Sequence, residues 1–355
     1  MFIQRRIIAL SIALALICAN SPATYANSRD RELNVMTYNM YPGTDFSEIF
    51  AAESFPELVA EVAEAYGDVQ LSDPVERIDA IADQIEAGSP ALVGLQEVAL
   101  WRTGPIDDPA PATTVAYDFL QILLDELASR GLHYAPAAVQ TNLDAELPAA
   151  GAAIVADVRY TDRVVILART DLRTSQFKIE GSQAQAFPTL LTVPVVFGNV
   201  TIPRGWTSVD VKMRGKTYRF INAHLESFHP LVQFAQGAEL LQGPAATPLP
   251  VILAGDFNSD AEAGEPTYQL LRGAGFADVW EQTRPNDPGY TWALFLENPS
   301  IFTAPTQRLD LVLTRGALHG TASDMVGEDP VTDVTPSGLR PSDHAGLTAA
   351  VVIEP

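Results

Sequence analysis

Eight residues with polar or ionisable side chains lie in or beside short apolar runs of this 355-residue sequence. They are Asn39, Glu97, His224, Asp256, Asn258, Asp310, Asp343 and His344. Most stand where a run typical of a buried β-strand ends, as Glu97 does after residues 92–96. Strand ends are where an α/β scaffold presents a functional site. The pattern therefore favours one site assembled from distant parts of the chain.

The residue types suit a site that binds a divalent metal ion and hydrolyses a phosphate ester. Glu97 offers a hard oxygen ligand for Mg²⁺ or Mn²⁺, with Asn39 or Asp343 assisting, and few ligands are needed because Mg²⁺ keeps several waters. His224 and His344 suit proton transfer near neutral pH. The sequence has no Cys/His cluster, no Gly-rich Walker loop and no Gly-x-Ser-x-Gly motif, so structural zinc, ATP hydrolysis and serine-esterase chemistry lack a signature.

Taken alone, each of these residues has an ordinary structural explanation. Glu97 could be a solvated acid at a strand end, and His224 a core histidine bonded to a backbone carbonyl. Asp256 and Asn258 could be turn residues after Gly255, since Asp and Asn are common in turns. The occurrence of eight such residues beside apolar runs is what favours a shared chemical role.

The elements that must position these residues are a mixture of strands and helices. Apolar runs predict strands at residues 33–39, 91–97, 164–168, 209–213, 218–223, 251–254, 309–313 and 347–353. Helical periodicity predicts helices at residues 74–87, 118–130 and 266–273, and Gly215-Lys216 predicts a hairpin turn. Hairpins within an α/β chain favour two packed sheets with helices outside over one doubly wound sheet. We predict one catalytic domain over residues 31–355.

Six short motifs resemble those of the endonuclease/exonuclease/phosphatase superfamily, which has the fold of deoxyribonuclease I, and they occur in that superfamily's order. They are Met36-Thr37-Tyr38-Asn39, Leu95-Gln96-Glu97-Val98, Asn222-Ala223-His224-Leu225, Gly255-Asp256-Phe257-Asn258-Ser259, Arg308-Leu309-Asp310-Leu311-Val312 and Ser342-Asp343-His344. Any one motif is weak, but the ordered set spans nearly the whole chain. The resemblance implies a four-layer α/β sandwich of two packed mixed sheets flanked by helices, with the site at one end of the sheets.

The resemblance also implies a metal site. It makes Glu97 the principal ligand of Mg²⁺ (or Mn²⁺ or Ca²⁺), Asn39 a contact to the metal or the phosphate, and Asp343 a ligand of a second metal or of a positioned water. One departure bears on this assignment. After Asn39 the chain continues Met40-Tyr41, where some relatives place a further acid, and Asp45 comes later. A second metal site is therefore in doubt.

The remaining implied roles are catalytic. Asp256 orients or deprotonates the attacking water, and Asn258 donates a hydrogen bond to the phosphate in the transition state. His224 is the general acid for the leaving group. His344, oriented by Asp310, contacts the phosphate or acts as the base. The choice of base between Asp256 and His344 stays open.

Two aromatic residues near these motifs have alternative interpretations. Tyr160 precedes the strand at 164–168, where relatives more often have a Gly-rich entry, and packing is favoured over a contact to phosphate. Trp292 belongs to Gly289-Tyr290-Thr291-Trp292, which resembles a Tyr-Thr-Trp strand of relatives. It either lines the site or fills the core, and the core is favoured.

Charge and cysteine content limit the partners of this protein. The formal net charge is −22, and removal of residues 1–26, which contain two arginines and no acid, makes it −24. This charge argues against a broad basic surface for duplex nucleic acid, although a bound divalent metal can supply positive charge locally. Cys18 is the only cysteine, so a chain cleaved after Ala26 has no disulfide. No obligate protein partner is evident.

The N-terminal residues resemble an export signal. Arg5 and Arg6 precede an apolar segment at residues 7–17 that is too short to span a bilayer comfortably, and Ala26 is a suitable last residue before cleavage. A membrane anchor and a lipoprotein signal at Cys18 are the alternatives. The prediction is a signal peptide at residues 1–26 and a secreted or periplasmic protein.

The sequence is compatible with three functions. The first is a secreted hydrolase of phosphodiesters or phosphomonoesters, whose substrate is a nucleic acid, a phospholipid head group or a small phosphodiester. A sphingomyelinase-like phospholipase would use the same site and differ in the loops. A binding protein on the same fold that has lost catalysis is the third, and the complete set of eight residues argues against it.

Overall fold

The computed structural model describes residues 32–196, 198–296 and 298–354. The strands are β1 (Glu32–Asn39), β2 (Leu92–Gln96), β3 (Leu100–Gly104), β4 (Thr114–Asp118), β5 (Tyr134–Ala150), β6 (Val155–Arg169), β7 (Phe177–Ala186), β8 (Leu191–Val195), β9 (Gly198–Ile202), β10 (Gly205–Met213), β11 (Lys216–His224), β12 (Val251–Asp256), β13 (Ala277–Asp278), β14 (Asp310–Arg315), β15 (Leu318–Val326) and β16 (Gly346–Ile353). The helices are α1 (Ser47–Ala51), α2 (Phe55–Leu71), α3 (Pro74–Gly88), α4 (Phe119–Ser129), α5 (Pro230–Gln242), α6 (Pro266–Gly273) and α7 (Val279–Thr283). The predicted signal peptide at residues 1–26, with Cys18, lies outside the described residues. None of the described helices is both long and apolar enough to cross a membrane.

Two large sheets form the centre of the fold. The first has the order β15-β16-β1-β2-β6-β3-β4, with β5 also paired to β6, and the second has the order β13-β14-β12-β11-β10-β7. Both are mixed: β1 runs parallel to β2 and β11 parallel to β12, whereas most other neighbours are antiparallel. Strands β8 and β9 form a separate two-stranded hairpin.

Three apolar clusters separate the layers. One lies between the sheets and contains Val35, Ile166, Phe220 and Ile252. A second packs α2, α3 and α4 on the other face of the first sheet, and a third packs α5 and α6 on the other face of the second sheet. The order of layers is thus helix, sheet, sheet, helix. The predicted four-layer sandwich is confirmed.

Most of the predicted elements are present, with shifted ends. The predicted strand at 164–168 is the last third of the much longer β6, and the strand at 309–313 begins one residue later as β14. Helix α3 begins as its sequence suggests, because the Asp73 side chain accepts a hydrogen bond from Glu76 N at 3.2 Å and Pro74 occupies the first turn. It includes Gly88 and ends at Ser89, which has a φ of 41°.

The sequence did not predict two long helices, α2 and α5. A helix start was nevertheless encoded before α2, where Ser54 accepts a hydrogen bond from Glu57 N and a proline lies in the first turn. The predicted hairpin turn at Gly215-Lys216 was wrong by one residue. Arg214 and Gly215 both have positive φ and make the turn between β10 and β11, and Lys216 is already in β11.

A buried amide joins the two sheets behind the strand ends. Asn222 Nδ2 donates to Leu95 O at 3.0 Å and Val165 O at 2.9 Å, and its Oδ1 accepts from Gln96 Nε2 at 2.6 Å. The sheets approach closely here because Gly94 lacks a side chain: a Cβ at that position would lie 2.7 Å from Asn222 Oδ1. These bonds fix how β2 and β11 lie relative to one another.

Arg77 of α3 is fully buried and clamps the two loops beside the strand end of β1. Its guanidinium donates to Ser72 O at 2.9 Å, Met40 O at 3.1 Å and Pro341 O at 2.8 Å. We expect Arg77→Met to lower the free energy of unfolding by about 3 kcal/mol or more, because several buried carbonyls lose their donor.

Urea denaturation measures this effect, and Arg173→Met is the control. Arg173 is exposed, so its replacement should change the free energy of unfolding by no more than about 0.5 kcal/mol. Equal, small changes in the two variants would contradict the clamp.

Candidate active site

The pairing of strands brings the predicted residues to one edge of the sandwich. In the first sheet Asn39 is opposite Gln96, immediately before Glu97. In the second sheet His224 is opposite Asp256, which is opposite Asp310. The hydrogen bond from Asn39 Nδ2 to Asp256 Oδ2, 3.0 Å long, connects the two sheets at this edge. All eight predicted residues therefore lie in one neighbourhood.

A cleft of about 800 Å³ opens at this edge. Six of the eight residues line it: Glu97, His224, Asp256, Asn258, Asp343 and His344. The other two, Asn39 and Asp310, are buried and are not among its lining residues, and each holds a residue that is. The resemblance implied a supporting role for Asp310 beside His344, and the structure places Asn39 in a similar position behind Asp256.

Gly255 permits the backbone turn that carries Asp256 into the site. Its φ is +144°, and a Cβ there would lie 2.1 Å from Ala223 O on the neighbouring strand, a distance that no side chain tolerates. Asn258 has a φ of 49°, and its backbone N–H donates to Asp256 Oδ1 at 2.9 Å. The segment is thus a tight turn, as its composition suggests, and the turn itself fixes the Asp256 carboxylate.

Asp256 occupies the centre of the site. Its Oδ2 lies 3.0 Å from Asn39 Nδ2, 3.5 Å from His224 Nε2 and 3.8 Å from His344 Nε2. The residue is 1% exposed. A carboxylate held between two imidazoles and an amide is well placed to accept or orient a proton.

His344 forms a buried pair with Asp310. Its Nδ1 lies 2.8 Å from Asp310 Oδ2, and Asp310 N donates to Thr291 Oγ1 at 3.2 Å. Burial acts to lower the pKa of His344, but the carboxylates of Asp310, Asp256 and Asp343 outweigh it and hold the pKa well above the ordinary value. These carboxylates therefore favour the imidazolium form of His344, whose Nε2 lies 3.8 Å from Asp256 Oδ2.

His224 has the opposite electrostatic environment. Burial, the Arg204 guanidinium and His344 hold the pKa of His224 well below its ordinary value, so the free protein carries a neutral imidazole there. Arg204 Nη1 lies 3.0 Å from His224 Nδ1. The pKa values of the two histidines are thus shifted in opposite directions, and nothing in the sequence around them indicates this difference.

Arg204 is the functional candidate that the sequence did not identify. It stands in a loop just before β10, with no motif around it, and only the pairing of Gly205 with His224 places it in the site. Of the described residues that line the cleft, it is the only lysine or arginine. A guanidinium beside the reacting group is a strong ligand for phosphate.

Glu97 and Asp343 form an acidic wall of the cleft. Glu97 follows β2 with a φ of 52°, and its side chain is 21% exposed. Burial and the Asp343 carboxylate raise the pKa of Glu97 to about 8. Like charges in one site oppose each other's ionised form, and a bound cation removes that penalty.

The two aromatic residues have separate outcomes. Tyr160 packs with its ring centroid 4.7 Å from that of Trp101 and 4.9 Å from that of Phe46, so the packing expected of it is confirmed, although it also lines the cleft. The core position favoured for Trp292 was wrong. Trp292 is half-buried on the wall of the cleft, its ring centroid 6.4 Å from that of His344, because the segment at 289–292 runs beside the His344 loop.

Comparison with known proteins identifies the family. The sequence model of the endonuclease/exonuclease/phosphatase family matches residues 61–344. This chain belongs to that family. Members of the endonuclease/exonuclease/phosphatase family are hydrolases that act on phosphate esters, and they generally depend on a divalent metal ion. No curated protein sequence matches the chain significantly.

Solved structures agree with the family fold. A family protein from Bacteroides thetaiotaomicron is 17% identical with a TM-score of 0.56, over 91% of this chain and 95% of that one. A mannosyl-6-phosphatase from Bacteroides thetaiotaomicron VPI-5482 is 19% identical with a TM-score of 0.55, over 90% and 100%. Humanized TDP2 from D. rerio is 19% identical with a TM-score of 0.53, over 90% and 99%. At such identities these likenesses show the fold alone.

The residues present fit a divalent metal ion. Asp256 and Asp310 belong to a buried cluster with His344 whose potential ligand atoms lie within 4.8 Å of one another, and since a protonated His344 offers no lone pair, the carboxylates are the donors in this cluster. Glu97 and Asp343 add two more carboxylates on the adjacent wall, and Asp310 Oδ1 is buried with no hydrogen-bond partner. Carboxylates outnumber the positively charged side chains at this site, and carboxylate oxygens are the ligands that Mg²⁺, Mn²⁺ and Ca²⁺ prefer.

Proposed function

We propose that this chain is an exported, divalent-metal-dependent hydrolase that cleaves a phosphodiester or phosphomonoester bond by in-line attack of water on phosphorus. The observation that carries the proposal is the position of Asp256, whose carboxylate lies between a charged His344 and a neutral His224, with Arg204 beside the latter. Such an arrangement offers both a proton acceptor and a proton donor at one place in the cleft.

A metal ion in this site would be held by Glu97, with Asp343 and Asn39 assisting. When bound, it supplies positive charge to the phosphate oxygens. Asn39 has a second task, because its amide already donates to Asp256 and its Oδ1 accepts from Tyr41 N at 3.0 Å. It therefore holds the Asp256 carboxylate in position whether or not it also contacts the metal.

Protein side chains activate the water and bind the phosphate. Asp256 orients the attacking water and takes up its proton. Arg204 and the Asn258 amide bind the non-bridging phosphate oxygens, whose charge grows in the transition state. Asn258 Nδ2 donates to Leu225 O at 2.9 Å in the free protein, so this amide is already held at the mouth of the turn.

The charge states of the histidines add a condition to the role of His224 as general acid. His224 is neutral in the free protein, and so it needs a proton before it can protonate a leaving group. A bound phosphate anion beside Nε2 would raise the pKa of His224 and so favour its protonation. His344, already charged and oriented by Asp310, stabilises the phosphate and is the alternative donor.

The charge of the cleft favours a substrate with one phosphate. Acidic side chains line it in numbers: Asp45, Glu97, Asp162, Asp256, Glu265 and Asp343. With Arg204 as the sole arginine or lysine among the described lining residues, a second phosphate would meet carboxylates. The charge of the cleft therefore favours a small phosphate ester or a lipid head group as the substrate over a duplex nucleic acid.

A substrate panel tests the proposed function. The purified protein is assayed on bis-nitrophenyl phosphate, sugar and inositol phosphates, sphingomyelin, RNA and plasmid DNA, with Mg²⁺, Mn²⁺, Ca²⁺ or EDTA. We expect turnover of at least one single-phosphate ester that EDTA abolishes and added metal restores. Activity that survives chelation would overturn the metal requirement, and no turnover of any substrate would favour a binding protein.

The export part of the proposal depends on residues 1–26. Arg5 and Arg6, the apolar segment and Ala26 support it. The intact mass of protein recovered from the culture medium or periplasm tests cleavage after Ala26, and an uncleaved mass in the cytoplasm would reject it.

A further inference from the structure

A second cavity of about 240 Å³ lies against the catalytic cleft. Its walls come from the β5–β6 surface, from α1 and α2 and from the β8–β9 hairpin, with Trp101, Leu147 and Val200 among the lining side chains. We call it the apolar pocket. Its volume exceeds the roughly 150 Å³ of an apolar protein cavity that binds benzene, so it has room for an organic group.

Two of the polar side chains on its wall, Glu146 and Trp101, already have hydrogen-bond partners. Glu146 is the only charged residue among the described ones that line it, and its Oε2 accepts from Ala112 N at 2.8 Å. Trp101 Nε1 donates to Pro42 O at 3.0 Å. A nucleobase placed here would leave its polar edge without partners, which costs free energy, whereas a hydrocarbon group would not.

The apolar pocket adjoins the catalytic cleft. Phe46, Phe50, Leu143 and Tyr160 line both the pocket and the cleft, so the two spaces share a wall of apolar side chains. The residues shared by the two spaces carry no charge, so a hydrocarbon group that extended from the cleft into the pocket would contact apolar side chains there.

We propose that the apolar pocket binds the hydrocarbon tail of an amphiphilic phosphate ester whose phosphate lies between Arg204 and Asp256. This inference rests on the proposed function and narrows its substrate to a single-phosphate ester with one polar end and one apolar end. Arg204 is the single arginine among the described residues that line the cleft, and its acidic surroundings and the apolar lining of the pocket both select against a substrate that is charged along its length.

The test is a series of alkyl esters with chains from methyl to decyl, kept below their micelle concentrations. Each alkyl group is offered both as an alkyl 4-nitrophenyl phosphate and as an alkyl phosphate monoester. We expect kcat/KM to rise by about fourfold for each added methylene until the pocket is filled and then to level off, since burying a methylene favours binding by that factor. A series with no dependence on chain length would overturn the proposal.

Pocket-filling variants locate the effect. Ala145 lines the pocket on β5, so Ala145→Leu should make the rise stop at a shorter chain while the methyl ester is turned over as before. Ala150→Leu is the matched control, because Ala150 is exposed on the same strand and does not line the pocket. If kcat/KM depends on chain length in the same way for both variants and the parent protein, the hydrocarbon tail does not bind in the apolar pocket.

Binding measurements separate this proposal from the proposed function. Octylphosphonate and methylphosphonate are not hydrolysed, and calorimetry compares their affinities for the parent protein and for Ala145→Leu. Tighter binding of octylphosphonate that Ala145→Leu removes supports the pocket even if no ester is cleaved. Turnover of the methyl ester without tighter octyl binding leaves the proposed function intact and rejects the pocket. A thymidine 5′-(4-nitrophenyl) phosphate that outcompetes the octyl ester would reject it in favour of a nucleotide.

Discussion

His224→Ala is expected to lower the turnover of an alkyl phosphodiester by roughly 10²-fold or more, the usual scale of general acid catalysis. The imidazole is 1% exposed, lies 3.5 Å from Asp256 Oδ2 and contacts Arg204, and an alanine side chain offers no proton in its place. Steady-state kcat with an excess of metal measures the effect. Unchanged turnover would remove His224 from the mechanism.

A comparison of leaving groups identifies the proton donor. Nitrophenolate is a weak base and leaves without a proton, so removal of the general acid should cost much less with a nitrophenyl ester than with an alkyl ester. The matched variant is His344→Ala, which removes the imidazole that Asp310 keeps charged. If the nitrophenyl ester rescues His344→Ala and not His224→Ala, the acid is His344 and the assignment of His224 is reversed.

Glu97→Gln is expected to weaken metal-dependent activity by about 10²-fold or more, since even groups behind metal ligands are typically worth 10- to 100-fold. The substitution keeps the shape of the side chain and removes the charge that a divalent ion needs. It also separates two effects: an activity that excess metal restores indicates lost affinity, and one that it does not restore indicates lost catalysis. Titration of activity with Mn²⁺, alongside calorimetry of Mn²⁺ binding, measures both.

The control for Glu97→Gln is Asp45→Asn. Asp45 also lines the cleft, but it is exposed and its Oδ1 accepts from Ser47 N at 2.8 Å. Asp45→Asn should leave the metal dependence unchanged if one metal site serves the reaction. A loss as large as that of Glu97→Gln would mean that Asp45 supplies the acid that is missing after Asn39. Equal metal titrations of Glu97→Gln and the parent protein would contradict the assignment of Glu97.

Much of the fold followed from local patterns. The runs that became β2 and β12 are mostly apolar because both faces of these strands are buried, and β1 and β11 are buried towards their carboxyl ends; each of the four ends at a polar residue. Other elements were missed or given the wrong length. Helix α2 was not predicted although Ser54 and a first-turn proline mark its start, and β6 extends well before its apolar stretch because pairing with β5 and β3 sustains it.

The sequence by itself determined which residue types stand at the strand ends, and in which order, because a strand and the turn that ends it are encoded by neighbouring residues. The tertiary structure decided which ends meet. Asn39 and Asp256 are 217 residues apart and touch only because β1 and β12 lie in facing sheets joined by Asn222. Arg204 enters the site only through the pairing of β10 with β11. The opposite pKa shifts of His224 and His344, and the apolar pocket beside the cleft, likewise arise from burial and from neighbours distant in sequence, which no local pattern specifies.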